Sequence, residues 1–243
     1  MGRPRILRQN WHDLTFVHWA VPPDRVARFM PPGVRPDVHD GVTYVGLVPF
    51  RMVGAGLPRG PAVPWAGTFL ETNVRLYSVD STGRRGIVFR SLDTDRALVV
   101  AGARMLFGLP YRWCHLRHSC RTSADGEEHT YETRLRHRGV WGASSRVVVH
   151  VGEPVAATAL DNFLLSRWGL HVAHLGRSWY VPTSHPPWNL RRAELASLED
   201  GLMQPLGFSE LARRQPDQVA FSTGVHAEFG LPVRADTPRP TWG

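Results

Sequence analysis

Between Thr68 and Val79 the chain alternates with a period of two: Leu70, Thr72, Val74 and Leu76 fall on one side, Glu71, Asn73 and Arg75 on the other. A helix repeats every 3.6 residues and cannot sort these side chains in that way, so the segment is a strand. A single strand has unpaired backbone groups along both edges and needs neighbours. Gly83 supplies a turn, and Ile87 to Ser91 reads as the hairpin partner. Strands near 111–121, 128–138 and 145–151 follow, separated by Asp125-Gly126 and Gly139. Further strands are expected near 170–174, 177–182 and 188–196, with a last one from Val219 to Phe229. Upstream, Asp13 to His18 reads as extended chain, and residues 42–50 read as a buried strand with Pro49 at its end or at a bulge. The pattern predicts a mainly β, antiparallel meander.

Helices are few. Pro22-Pro23-Asp24 opens a helical stretch to about Arg28, which Pro31-Pro32-Gly33 ends. Asp93 and Asp95 offer a cap and an acidic first turn for a helix near 94–106, stopped by Gly108 and Pro110. Thr158 with Asp161 forms a capping-box pattern ahead of Phe163, Leu164 and Trp168, with Gly169 as the stop. From Arg51 to Gly67 four glycines and three prolines predict irregular backbone, either a plain surface connection or a lid. The arm at about 1–8 and the tail at about 230–243 are expected to fray. No repeat and no linker divides the 243 residues, so one domain over 1–243 is expected.

All 29 basic residues are arginine. No step can therefore depend on a lysine amine. The formal charge of +8 raises the question of nucleic acid, but the arginines are scattered and only pairs such as Arg84-Arg85, Arg191-Arg192 and Arg213-Arg214 adjoin. A codon-biased genome accounts for such a distribution better than a phosphate-binding surface does. The first residues lack a signal-like apolar run, and the longest apolar stretch, Ala97 to Ala103, is far too short to span a bilayer. A cytoplasmic protein without membrane contact is expected, with Cys114 and Cys120 reduced and assigned to packing. Phosphate loops, Gly-x-Ser-x-Gly and His-Glu-x-x-His are absent.

Several segments together resemble one family. They are Gln9-Asn10-Trp11 with Phe16-Val17-His18-Trp19, Gly46-Leu47-Val48-Pro49-Phe50, Glu71-Thr72-Asn73-Val74-Arg75-Leu76-Tyr77, Gly102-Ala103-Arg104 leading to Gly108-Leu109-Pro110-Tyr111, and His185-Pro186-Pro187-Trp188. From about residue 9 to 229 the chain resembles the YqjF-like family, whose relatives fall in the acetoacetate-decarboxylase-like superfamily. That resemblance implies an antiparallel β-barrel or cone with a few flanking helices, a ligand cavity inside, and self-association through barrel edges. It also implies two lysines directly after a Gly-aromatic-Pro element, where this chain has Tyr111 and Arg112. A phenol forms no imine, and a guanidinium stays protonated, so Schiff-base decarboxylation is excluded.

What remains is a polar pocket. Glu71, Asn73 and Arg75 offer an acid or base, an amide and an anion clamp in a row if their strand face lines the barrel, whereas such positions on an ordinary strand face water. Tyr111 is a candidate donor to an enolate oxygen, with Arg112 or Arg104 neutralising charge and Trp188 walling the cavity. The expected ligand is a small anionic or carbonyl-bearing molecule. Two functions fit: a lysine-independent lyase or isomerase acting through Glu71, Tyr111 and Arg112, or a non-catalytic ligand-binding or sensing barrel. Nucleic-acid binding is a distant third. His171-x-x-His174 with His185 invites a metal reading, but two histidines three apart diverge on a strand, and His115 and His118 have the same defect. No metal or other cofactor is expected.

Overall fold

The computed structural model describes residues 4–61, 67–97, 108–124, 126–136 and 142–235. Among these residues thirteen strands form a single sheet. They are β1 (Arg5–Val21), β2 (Val34–Pro36), β3 (Thr43–Gly56), β4 (Phe69–Asp80), β5 (Arg85–Thr94), β6 (Tyr111–Ser123), β7 (Gly126–Leu135), β8 (Ser144–Pro154), β9 (Gly169–His174), β10 (Arg177–Ser184), β11 (Leu190–Asp200), β12 (Gln218–Gly230) and β13 (Val233–Arg234). Helices α1 (Pro23–Ala27) and α2 (Ala159–Leu165) are short. Pairing is antiparallel except at β5–β6 and β5–β9, which are parallel.

The order β5-β6-β7-β8-β11-β12-β1-β3-β4 closes on itself through the β4–β5 pairing, giving a nine-stranded barrel. The sheet also forks. The far end of β12 pairs with β10 at Thr183↔Phe229 and Ser184↔Glu228, and the start of β5 meets β9 at Ile87↔Leu170. Strands β9 and β10 thus close a second enclosure over the other face of the β12-β1-β3-β4-β5 wall. On β4, Val74 and Leu76 turn into the first barrel, with Trp19, Leu47, Val149 and Phe221. Glu71, Asn73 and Arg75 turn into the second enclosure. This explains how a strand with polar and apolar faces is buried on both.

Several expectations need correction. The arm expected to fray is strand from Arg5, paired with β12 and β3, because β1 supplies an edge that both neighbours require. Strand β3 runs on to Gly56 and takes in the start of the segment expected to be irregular. Pro49 lies where the β1–β3 register skips between His12↔Arg51 and Val17↔Leu47, so its missing N–H leaves no rung of that ladder unmade. Asp93 is a strand residue within β5, not a helix cap. The helix expected near 94–106 lies, for residues 98–106, outside the described residues. Helix α2 ends at Leu165, ahead of Trp168, and its capping box is present in full: Thr158 Oγ1 accepts from Asp161 N–H, and Asp161 accepts from Thr158 N–H. Part of the tail is ordered as β13 against β10. No helix among the described residues is long and apolar enough to cross a membrane.

Candidate functional site

The second enclosure holds a cavity of about 770 Å³. It is mostly apolar, and Trp11 and Trp188 form part of its wall, their rings stacked 6.0 Å apart and 13° from parallel. His185 packs on both tryptophans. Leu165 accepts a hydrogen bond from the Trp188 indole N–H at its backbone oxygen, which fixes that ring against the end of α2. Polar groups are confined to a few positions.

One is a carboxyl–phenol pair. Tyr111 O–H donates to Glu71 Oε2 at 3.0 Å, and both residues are buried. Burial raises the Glu71 carboxyl to about 8, against the weaker opposing pull of its hydrogen bonds with Tyr111 and Asn73. The group is therefore mostly a neutral acid near pH 7. Burial also pushes the Tyr111 phenol well above its ordinary value, as does the neighbouring Glu71 carboxyl. Asn73 Oδ1 is buried without a hydrogen-bond partner.

A second is a pair of guanidinium groups. Arg75 donates from Nε to Tyr77 Oη at 3.1 Å, but its buried Nη2 has no partner. Among the described residues no carboxylate lies within ion-pair distance of Arg75. Arg167, which follows α2, binds Asp37 through Nη1, while its buried Nε and Nη2 are also unpartnered. Its guanidinium sits 4.9 Å from the Tyr77 ring centre. Burial lowers Arg167 to about 10, with the Asp37 carboxylate opposing the shift, so it remains a cation at neutral pH. Tyr77 Oη in turn meets His18 Nε2, His18 Nδ1 meets Gln218 Oε1, and Gln218 Nε2 donates to Asp161 Oδ1 at 2.7 Å. Burial holds His18 well below its ordinary value, with Arg75 adding to the effect. This chain ties the cavity cation to the first turn of α2. It requires Gly46, because a Cβ there would lie 2.8 Å from the His18 ring and 3.3 Å from Arg75 Cγ.

Glu71, Asn73, Arg75, Tyr111 and Trp188 thus border one cavity. Arg112 does not. The β5–β6 register sets Leu92 beside Tyr111 on the cavity side and Asp93 beside Arg112 on the other. There Arg112 is held by Asp93 at 2.6 and 2.7 Å and by Ser91 at 3.1 Å. A strand alternates its side chains, so adjacent residues cannot both face one cavity. Arg104 lies outside the described residues. His171 does not join His174 and His185 in a metal site; it is buried against Ser78 and Asp80. His174 and His185 border the cavity. Arg167, Tyr77 and His18 carried no sequence signal for this role, since nothing local shows that residue 167 returns to the β4 wall.

A family profile described as DUF2071, uncharacterized conserved protein (COG2071), matches residues 8–226. The protein YqjF of Bacillus subtilis strain 168 is 30% identical over 191 residues, covering 78% of this chain and 76% of that protein. Among solved structures, an acetoacetate decarboxylase-like enzyme from Sphingomonas wittichii RW1 superposes with a TM-score of 0.64 at 15% identity, over 95% of this chain and 93% of that one. The enduracididine biosynthesis enzyme MppR complexed with pyruvate superposes with a TM-score of 0.63 at 16% identity, over 97% and 92% of the two chains. At such identities the likeness establishes the acetoacetate-decarboxylase-like fold alone.

Proposed function

We propose, from the premise that this chain belongs to the DUF2071 family, that its cavity binds a carboxylate-bearing oxo compound and acts on it as a lysine-independent lyase or isomerase. The observation that carries this reading is Arg75. A buried guanidinium with an N–H that, among the described residues, has no partner and no carboxylate beside it is costly unless an anion completes it. Arg167 presents two more unpartnered N–H donors beside the same Tyr77 ring, so the two cations make a clamp for one carboxylate. Glu71 and Tyr111 stand elsewhere in the same cavity, where a carbonyl carried by the ligand would lie.

The chemistry follows from protonation. A neutral Glu71 delivers a proton to a developing enolate or takes one back as its carboxylate, and Tyr111 donates to the carbonyl oxygen. Schiff-base chemistry is absent because the chain has no lysine. A cavity of about 770 Å³ far exceeds a three-carbon acid, and the Trp11–Trp188 wall favours a ligand with a flat or aliphatic body behind its carboxylate. MppR binds pyruvate by its description; a larger relative of that chemical class suits this cavity.

The test uses a panel of aliphatic and aromatic 2-oxo acids, with proton-for-deuterium exchange at the carbon next to the carbonyl followed by NMR. Catalysed exchange is expected in the wild type, and loss of at least tenfold in Glu71→Gln and Tyr111→Phe with folding intact. Arg75→Met should lose saturable binding. Binding without exchange by any member would instead favour the sensing barrel, which the mutual hydrogen bond of Glu71 and Tyr111 also permits. Lack of binding by every member would overturn the proposal.

A further inference from the structure

The β6–β7 hairpin brings together a thiol, an imidazole and a carboxylate on the face that carries Tyr131 into the first barrel, apart from the residues that border the cavity. Cys120 and His129 are directly opposed in the antiparallel register. Glu127 precedes His129 by two residues, so it projects from the same face. His129 Nε2 lies 3.5 Å from Cys120 Sγ and 3.2 Å from Glu127 Oε2. All three candidate ligand atoms fall within 4.8 Å of one another.

From these contacts we infer that Cys120, Glu127 and His129 form a zinc site with an open fourth position. Around a tetrahedral zinc ion, ordinary bond lengths put sulfur and nitrogen about 3.5 Å apart and nitrogen and oxygen about 3.4 Å apart. Two of the three edges already match. Their neighbours complete the arrangement: His118 Nε2 lies 3.0 Å from His129 Nδ1, so that nitrogen can hold the proton and leave Nε2 its lone pair. Arg191 Nη1 donates to Glu127 Oε1 at 2.8 Å, which orients the carboxylate and leaves Oε2 for the metal. His129 is buried and Cys120 exposed, so the open position faces water. A thiolate–imidazole–carboxylate set suits zinc or cobalt and is unsuited to calcium or magnesium, which take oxygen ligands. Binding displaces the Cys120 thiol proton to solvent and forms the metal–sulfur bond without change of oxidation state. The spacing Cys-x6-Glu-x-His matches no familiar linear motif, and only the hairpin register reveals it.

Titration of the full chain with cobalt(II) tests the site. A thiolate-to-cobalt charge-transfer band with tetrahedral visible bands is expected, saturating at one equivalent and displaced by zinc. Cys120→Ser, at an exposed position, should abolish the charge-transfer band without disturbing the fold. Glu127→Gln and His129→Asn should each weaken binding by tenfold or more. Because Cys114 is buried, alkylation reads Cys120, and zinc should slow it. Absence of the band, its survival in Cys120→Ser, or unchanged affinity in both other variants would overturn the inference.

Discussion

Glu71 is a carboxyl whose burial is not relieved by a cation, and this makes it a reporter of the cavity at residue scale. Its folded-state value of about 8 stands above the ordinary 4.5, so between those limits the folded protein keeps a proton that the unfolded chain releases. Stability should therefore fall as pH rises from about 4.5 to 8 and then level off, by on the order of a few kcal/mol. Glu71→Gln removes this contribution, so urea unfolding across pH 5 to 9 should show a shallower slope in the variant and higher stability than wild type at the alkaline end. The same ionisation sets ligand affinity: an anion held by Arg75 should bind more weakly above pH 8, and Glu71→Gln should flatten that profile in a binding titration. Arg112 tests the opposite case. It was expected to act on the ligand but is buried in an ion pair with Asp93 away from the cavity, so Arg112→Ala should cost about 3–5 kcal/mol by leaving Asp93 unpaired. Replacing both partners with apolar residues should cost less by chemical denaturation, a difference that a purely catalytic arginine would not show.

At the scale of elements, β4 was legible because strict alternation over its length admits only a strand, and the capping box of α2 was legible because Thr158 and Asp161 stand at the required spacing. Thr158→Ala should cost about 1 kcal/mol in thermal or urea unfolding, since it removes one half of that box. What alternation could not reveal was the environment of the second face. Glu71, Asn73 and Arg75 read equally well as a solvated face, and only closure by β9 and β10 makes that face interior. Strand β5 was legible to Ser91 and misread beyond it for a definite reason. Its register against β4 shifts between Val74 and Arg75, leaving Arg90 without a partner, so Phe89 and Leu92 both reach the cavity while Ser91 and Asp93 turn to Arg112. A bulge re-aims every later side chain, and local composition does not announce one. Asp93 therefore resembled a helix cap. The position of Arg167 was illegible for a different cause: its contact with Asp37 spans 130 residues, and no local pattern encodes so distant a return.

For the whole molecule, the two closures differ in what holds them. The β6-β7-β8 walls of the first barrel are joined by long uninterrupted ladders, Cys114↔Leu135 to Ser123↔Gly126 and Glu127↔Val151 to Arg134↔Ser144. The second enclosure is joined to the rest at β5–β9 by one pair, Ile87↔Leu170, and at β10–β12 by two adjacent pairs. Short ladders open at lower free energy than long ones, so a ligand too large to diffuse through a closed wall would enter where β9 and β10 meet their neighbours. Arg84 braces this side, with its guanidinium on buried Asp80 at 2.7 Å and on the backbone oxygens of Arg234 and Ala235, which ties β4 to β13 and the residue after it. Hydrogen exchange should accordingly be faster by at least tenfold in Gly169–Ser184 than in Glu127–Leu135, and a bound carboxylate should slow it in the first segment far more than in the second. Arg84→Ala should accelerate exchange in β9 and β10 selectively. Equal protection of the two segments would mean that the cavity opens only when the entire sheet does.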